Sequence, residues 1–178
     1  MNIMQYPSQD YVAEKTHKNL LVLHYTAGGT LGGAIASLGI RDYVNVHYMV
    51  DRDGGVYQFF PEEYWAYHTG TGLRDAKRSI GIEFVCWGHL KRKWNALYAW
   101  PNNWKTIIPW PQVIRLKKFR GFQYWHKLTP EQEEIAPILV DDICSRWPGM
   151  QVCTHADLKT TKLDFPPDYP AIRDLTTL

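Results

Sequence analysis

Residues 19–25 read Asn-Leu-Leu-Val-Leu-His-Tyr and run straight into Thr-Ala-Gly-Gly. A short apolar run that stops at glycines is the pattern of a buried strand opening into a loop. Such a strand obliges the rest of the chain to build a covered sheet around it. Residues 44–50 and 56–60, rich in β-branched and aromatic side chains, flank Asp51-Arg52-Asp53-Gly54-Gly55. These turn residues tolerate positive φ, which predicts a β-hairpin. Residues 79–85 (SIGIEFV) alternate apolar with small or polar side chains and predict another strand.

The clearest helix signal covers residues 130–147. Thr129 suits the N-cap, Pro130 the first helical position, and Gln132 completes a capping box. Ile135, Ile138, Leu139, Asp142 and Ile143 then give a mostly apolar stripe, and Pro148-Gly149 ends it. Pro137 lies inside the run and predicts a kink. A shorter helix is predicted within residues 31–38. Strands in several pairings with helices between them indicate an α/β or α+β sheet covered by helices.

At 178 residues the chain suits one domain with its own core. Its net charge of +2 does not by itself mark a nucleic-acid binder. No apolar run approaches the roughly 20 residues of a membrane span, and the first ten residues lack the basic region and apolar core of a secretory signal. Cys86, Cys144 and Cys153 are an odd number with no CxxC pair, so they read as small apolar residues rather than a disulfide framework or thiolate zinc site.

Residues 87–128 differ from the rest. They contain no Asp or Glu, yet hold nine of the 20 Lys and Arg residues and six of the 8 tryptophans. Prolines 101, 109 and 111 preclude a long helix there. The segment reads as an insertion on the sheet, not a separate domain. Two roles stay open for it. Its tryptophans pack locally and its lysines are merely solvated, or the aromatic and cationic groups contact an anionic polymer.

Three of the 7 histidines stand where ligands assemble. His24 ends the buried strand, His68 precedes Thr69-Gly70 in a loop, and His155 lies in Cys153-Thr154-His155-Ala156-Asp157 with Asp164 further on. Two imidazoles and a carboxylate make a reasonable catalytic zinc shell with a position left for water. His47, on a hairpin strand, reads as a structural hydrogen-bonding residue, and His17, His89 and His126 carry no signal. HExxH is absent.

Five blocks occur in one order: His24-Tyr25-Thr26-Ala27; Val46-His47-Tyr48-Met49-Val50-Asp51; Ala66-Tyr67-His68-Thr69-Gly70; Ser79-Ile80-Gly81-Ile82-Glu83; and Thr154-His155-Ala156-Asp157 through Lys162-Leu163-Asp164. Together they resemble the zinc-dependent N-acetylmuramoyl-L-alanine amidases, a family of phage endolysins, anhydro-muropeptide amidases and peptidoglycan-recognition proteins. The resemblance implies a central mixed β-sheet flanked by helices, with the basic aromatic-rich segment inserted, and a single amidase domain over residues 1–178. It also implies Zn2+ held by His24, His155 and Asp164. Glu83 would handle the attacking water and Lys162 would polarise the carbonyl. His68 and Trp87 would contact substrate. The tyrosine that other members use aligns here with Val46, which leaves the proton work to Glu83. The loop between His155 and Asp164, ADLKTTKL, lacks the Pro-Gly frequent in the family.

The implied reaction is hydrolysis of the amide joining N-acetylmuramic acid to L-alanine in peptidoglycan. The implied setting is a phage endolysin, made without a signal peptide in the host cytoplasm and acting on the cell wall as a monomer, with neither nucleic acid nor membrane insertion. The alternatives are a non-catalytic peptidoglycan-binding recognition module and a cytosolic muropeptide-recycling amidase.

Overall fold

A computed structural model describes residues 1–38, 40, 42–99 and 105–177. Trp100, Pro101 and Trp104 of the basic segment lie outside the described residues. A six-stranded sheet organises the chain. Its strands are β1 (Ile3–Gln5), β2 (Leu20–Tyr25), β3 (Tyr48–Val50), β4 (Val56–Gln58), β5 (Ser79–Phe84) and, later in the chain, β10 (Gln151–Thr154). Their spatial order is β1-β4-β3-β5-β2-β10. The β3–β4 hairpin is antiparallel and the other pairings are parallel, so the sheet is mixed.

β2 is buried at every position, as a central strand covered on two faces must be. Period-two alternation divides its neighbours between the faces. Leu21, Leu23, Ile80, Ile82 and Phe84 pack with Ala136, Leu139, Val140 and Ile143 of the long helix α3 (Pro130–Arg146). Met49 and Val85 pack with Ala34 of α1 (Leu31–Leu38) on the opposite side. The expected capping box is present: Thr129 and Gln132 exchange hydrogen bonds. Gln132, fully buried, also donates to the carbonyls of Val50 and Val85, each at 3.1 Å. α3 runs through Pro137 as one element.

The basic segment carries a second sheet, β7-β6-β9-β8, from β6 (His89–Lys93), β7 (Ala96–Ala99), β8 (Val113–Phe119) and β9 (Phe122–His126). One of its faces buries Leu90, Leu97, Ala99, Ile108, Val113 and Tyr124 among themselves. Trp125, fully buried, with Ile114, Leu116 and Phe119, packs instead into the main core. The segment therefore gathers a small cluster of its own, which its length alone had argued against. Short helices α2 (Leu73–Arg78), α4 (His155–Leu158) and α5 (Pro170–Arg173) complete the described chain. Cys86 and Cys153 are buried, Cys144 partly so, and all three are free thiols. No helix among the described residues is long and apolar enough to cross a membrane.

Candidate metal centre

β2 and β5 lie side by side in parallel, with His24 in register with Glu83. In-register residues share a face, and this pair sits on the face opposite the α3 core. His155 opens α4 directly after β10, the other neighbour of β2. A second capping box holds it there: Thr154 accepts from the Asp157 amide, and Asp157 accepts from the Thr154 amide at 2.8 Å. The chain then loops back, and the Ala156 amide donates to the Asp164 carbonyl at 2.8 Å.

These elements bring together three ligand atoms from distant parts of the sequence. His24 Nδ1 and His155 Nδ1 are 2.8 Å apart, and Asp164 Oδ2 lies 3.3 Å from the first and 3.1 Å from the second. The hydrogen-bond partners behind them settle which nitrogens carry protons. His155 Nε2 faces the Thr69 carbonyl at 2.7 Å, an acceptor only, so Nε2 carries a proton and Nδ1 is the nitrogen turned toward Asp164. Ser79 Oγ donates to the Asp75 carbonyl and so accepts from His68 Nε2 at 2.8 Å. His68 Nδ1 is then the acceptor for His24 Nε2–H at 3.0 Å, which leaves His24 Nδ1 bare. Burial pushes His24 down to about 4, against the pull of Asp164, and lowers His68 well below its ordinary value. Both rings are therefore neutral at pH 7. Burial raises the Asp164 carboxyl, but the two imidazoles more than offset this and hold it well below the usual carboxylate range.

One carboxylate oxygen and two imidazole nitrogens, all buried, thus converge within reach of a single cation. Two imidazoles and one carboxylate, each braced from behind, are a donor set that suits zinc. His24, His155 and Asp164 form a possible ion-holding group among the described residues.

The three face a cavity of about 380 Å³ that Glu83, His68, Val46, Tyr67 and Lys162 also line. Glu83 Oε2 is inaccessible to solvent and has no hydrogen-bond partner among the described residues. Burial, reinforced by Asp164 and opposed by Lys162, raises its carboxyl well above the usual range. His68 comes this close to the sheet because residue 81 is glycine: a Cβ there would lie 2.9 Å from His68 Nδ1. His47 is bound to backbone, accepting from the Gly81 amide at 3.2 Å and donating to the Tyr64 carbonyl at 3.1 Å.

Trp87 is not among the cavity-lining residues; its indole packs against Gly29 and beside the small cluster of the second sheet. Sequence reasoning passed over Tyr25 and His89, which line the cavity and lie 2.9 Å apart through Tyr25 Oη and His89 Nδ1. It also missed Ser79 and Thr69, whose roles are invisible without the ring positions.

Residues 14–167 match the profile of the N-acetylmuramoyl-L-alanine amidases, and the chain belongs to that family. No curated protein matches it. Among solved structures, it is similar to the N-acetylmuramyl-L-alanine amidase AmiD from E. coli, solved with anhydro-N-acetylmuramic acid-L-Ala-D-γ-Glu-L-Lys. That likeness has 24% identity and a TM-score of 0.62 over 92% of this chain, which spans 59% of the AmiD structure. It is similar also to the N-acetylmuramoyl-L-alanine amidase LysC from Clostridium intestinale, with 15% identity and a TM-score of 0.57 over 93% of this chain and 92% of that one. The ectodomain of the Drosophila transmembrane receptor PGRP-LCa matches with 10% identity and a TM-score of 0.60 over 98% of each chain. At these identities the likeness is one of fold.

Proposed function

We propose that the chain is a zinc-dependent N-acetylmuramoyl-L-alanine amidase that cuts peptidoglycan between the lactyl group of N-acetylmuramic acid and L-alanine. The observation that supports this most is the convergence of His24 Nδ1, His155 Nδ1 and Asp164 Oδ2 beside Glu83, whose buried Oε2 has no hydrogen-bond partner among the described residues. Zinc held by those three atoms supplies Lewis acidity, which makes water nucleophilic near neutral pH and polarises an amide carbonyl. Glu83 takes the proton of the attacking water and returns it to the departing alanine nitrogen, so the C–N bond breaks to give a carboxylic acid and an amine. Lys162 lines the same cavity, and its ammonium stabilises the negative charge that develops on the carbonyl oxygen.

The proposed setting is the cell wall, reached as a phage endolysin acting as a monomer. The acid-free, lysine- and arginine-rich segment 87–128 supports a polymeric anionic substrate by charge complementarity. The test is mass spectrometry of purified sacculi and of a soluble muropeptide after treatment with the protein, with and without a strong chelator. New free amines on alanine that vanish on chelation and return with zinc are expected. Products cut at any other bond would sink the proposal.

A further inference from the structure

Arg120 and Gly121 form the two-residue turn between β8 and β9, where Phe119 pairs with Phe122. Their φ angles are 46° and 94°, a turn geometry that favours Asn, Asp or Gly at its first position. An arginine there bears a backbone cost, and its guanidinium reaches across to another loop. Arg120 Nη2 donates to the Ala156 carbonyl at 3.0 Å, and Nη1 donates to the Lys159 carbonyl at 3.2 Å and to the Lys162 carbonyl. The guanidinium carbon lies 4.6 Å from the centre of the Phe119 ring, which steadies its plane.

Those carbonyls punctuate the stretch between His155 and Asp164, the stretch that also bears Lys162. From the far side the loop is tied by Lys159 Nζ, which donates to the Gly70 carbonyl at 2.7 Å. Thr160 and Thr161 between the ties are exposed. We infer that Arg120 is a positioning residue: the tip of the basic hairpin holds the 156–164 loop so that Asp164 and Lys162 keep their places at the cavity. A planar fork holds its donors in a fixed geometry toward several carbonyls, whereas a lysine ammonium is a point charge on a flexible stem. The consequence for Lys162 rests on the amidase reading, whereas the ordering of the loop does not.

The test uses Arg120→Gly, Arg120→Asn and Arg120→Lys in the full chain. Gly and Asn suit the turn better than arginine, so the hairpin folds and any loss belongs to the guanidinium. Three quantities are read: hydrogen exchange at the Ala156 and Lys162 amides in metal-free protein, zinc affinity by competition with a chromophoric chelator, and kcat and KM on a soluble muropeptide. For Gly and Asn we expect an unchanged or higher melting temperature and roughly tenfold faster exchange at the two amides, with β2 unaffected. Zinc affinity and kcat should each fall about tenfold with KM within about twofold, and Lys should recover part of the loss. Unchanged exchange in the Gly variant overturns the inference, as does faster exchange with wild-type zinc affinity and kcat. Faster exchange and weaker zinc binding in a protein whose parent cleaves no muropeptide would uphold the role of Arg120 and defeat the amidase reading.

Discussion

His155 Nε2 lies 2.7 Å from the carbonyl oxygen of Thr69, 86 positions earlier in the chain. A backbone carbonyl only accepts, so this one contact commits a ring proton to Nε2 and turns Nδ1 toward Asp164. For His24 the same result needs a longer relay, through His68 and Ser79 to the Asp75 carbonyl. The nitrogens turned toward the proposed metal are thus chosen by groups outside the proposed ligand set.

Disturbing the relay should therefore weaken zinc binding without touching a ligand. In Gly81→Ala the new methyl would lie 2.9 Å from His68 Nδ1 and displace the ring. In Ser79→Ala, His68 Nε2 loses its acceptor, and the proton is free to move to Nδ1. Each variant should bind zinc about 10–100-fold more weakly, measured by chelator competition. Wild-type affinity in both would show that the relay does not select the His24 tautomer.

Glu83→Gln keeps the shape of the side chain and removes its capacity to accept a proton. The expected result is a kcat lowered by about 10²–10⁴ with zinc affinity nearly unchanged, since Glu83 lies outside the ligand set. Steady-state kinetics on a soluble muropeptide, together with zinc titration, decides it. A variant retaining more than a third of the parent kcat would assign the proton transfer to another group.

Zinc removal should cost stability as well as activity, because an ion bound by the folded chain and not by the unfolded one stabilises the fold. With free zinc at about 100 times its dissociation constant, the loaded fold gains about 2.7 kcal/mol, on the order of 5–10 °C in melting temperature for a chain of this size. Calorimetry with zinc and with chelator measures it. Identical melting curves would mean that no ion is held there.

Lys18 is fully buried, and its Nζ donates to the Lys77 carbonyl at 2.8 Å. Burial pushes its ammonium down to about 7, although Glu62 and Glu63 pull the other way. The unfolded chain holds this proton to about pH 10.4. Between those values the unfolded state binds more protons, so this group's contribution to stability improves as pH rises and its penalty is complete below about pH 7. Lys18→Met should consequently raise the melting temperature most at pH 6, with the gain shrinking toward pH 10. The Lys77 carbonyl keeps the Thr16 hydroxyl at 2.6 Å, so it is not orphaned. Thermal unfolding at the two pH values checks this, and a gain that grows with pH would contradict it.

Much of the scaffold was legible because its signals are local. The β2 run, the 51–55 turn, the Thr129 capping box and the alternation of residues 79–85 each appear as expected, give or take a few residues at the ends. The hairpin strands are shorter than the sequence pattern suggests, β3 beginning at Tyr48 and not residue 44, because Asn45 and His47 turn their side chains to loop and backbone partners. β1 and β10 are too short, at 3 and 4 residues, to carry a readable period. The second sheet was hidden by its composition, since lysines, tryptophans and prolines mask the alternation of β6 and β8.

Local order in the chain sufficed to specify the main elements and, through five ordered blocks, to point to His24, His155, Asp164, Glu83 and Lys162. It did so because capping, turn geometry and side-chain periodicity act over a few residues. The three-dimensional fold alone decided which imidazole nitrogens face the centre, that Glu83 stands beside His24 across a parallel pair, and that Arg120 reaches the loop carrying Asp164. Those facts depend on strand register and on contacts between residues dozens of positions apart, and no short-range pattern encodes either.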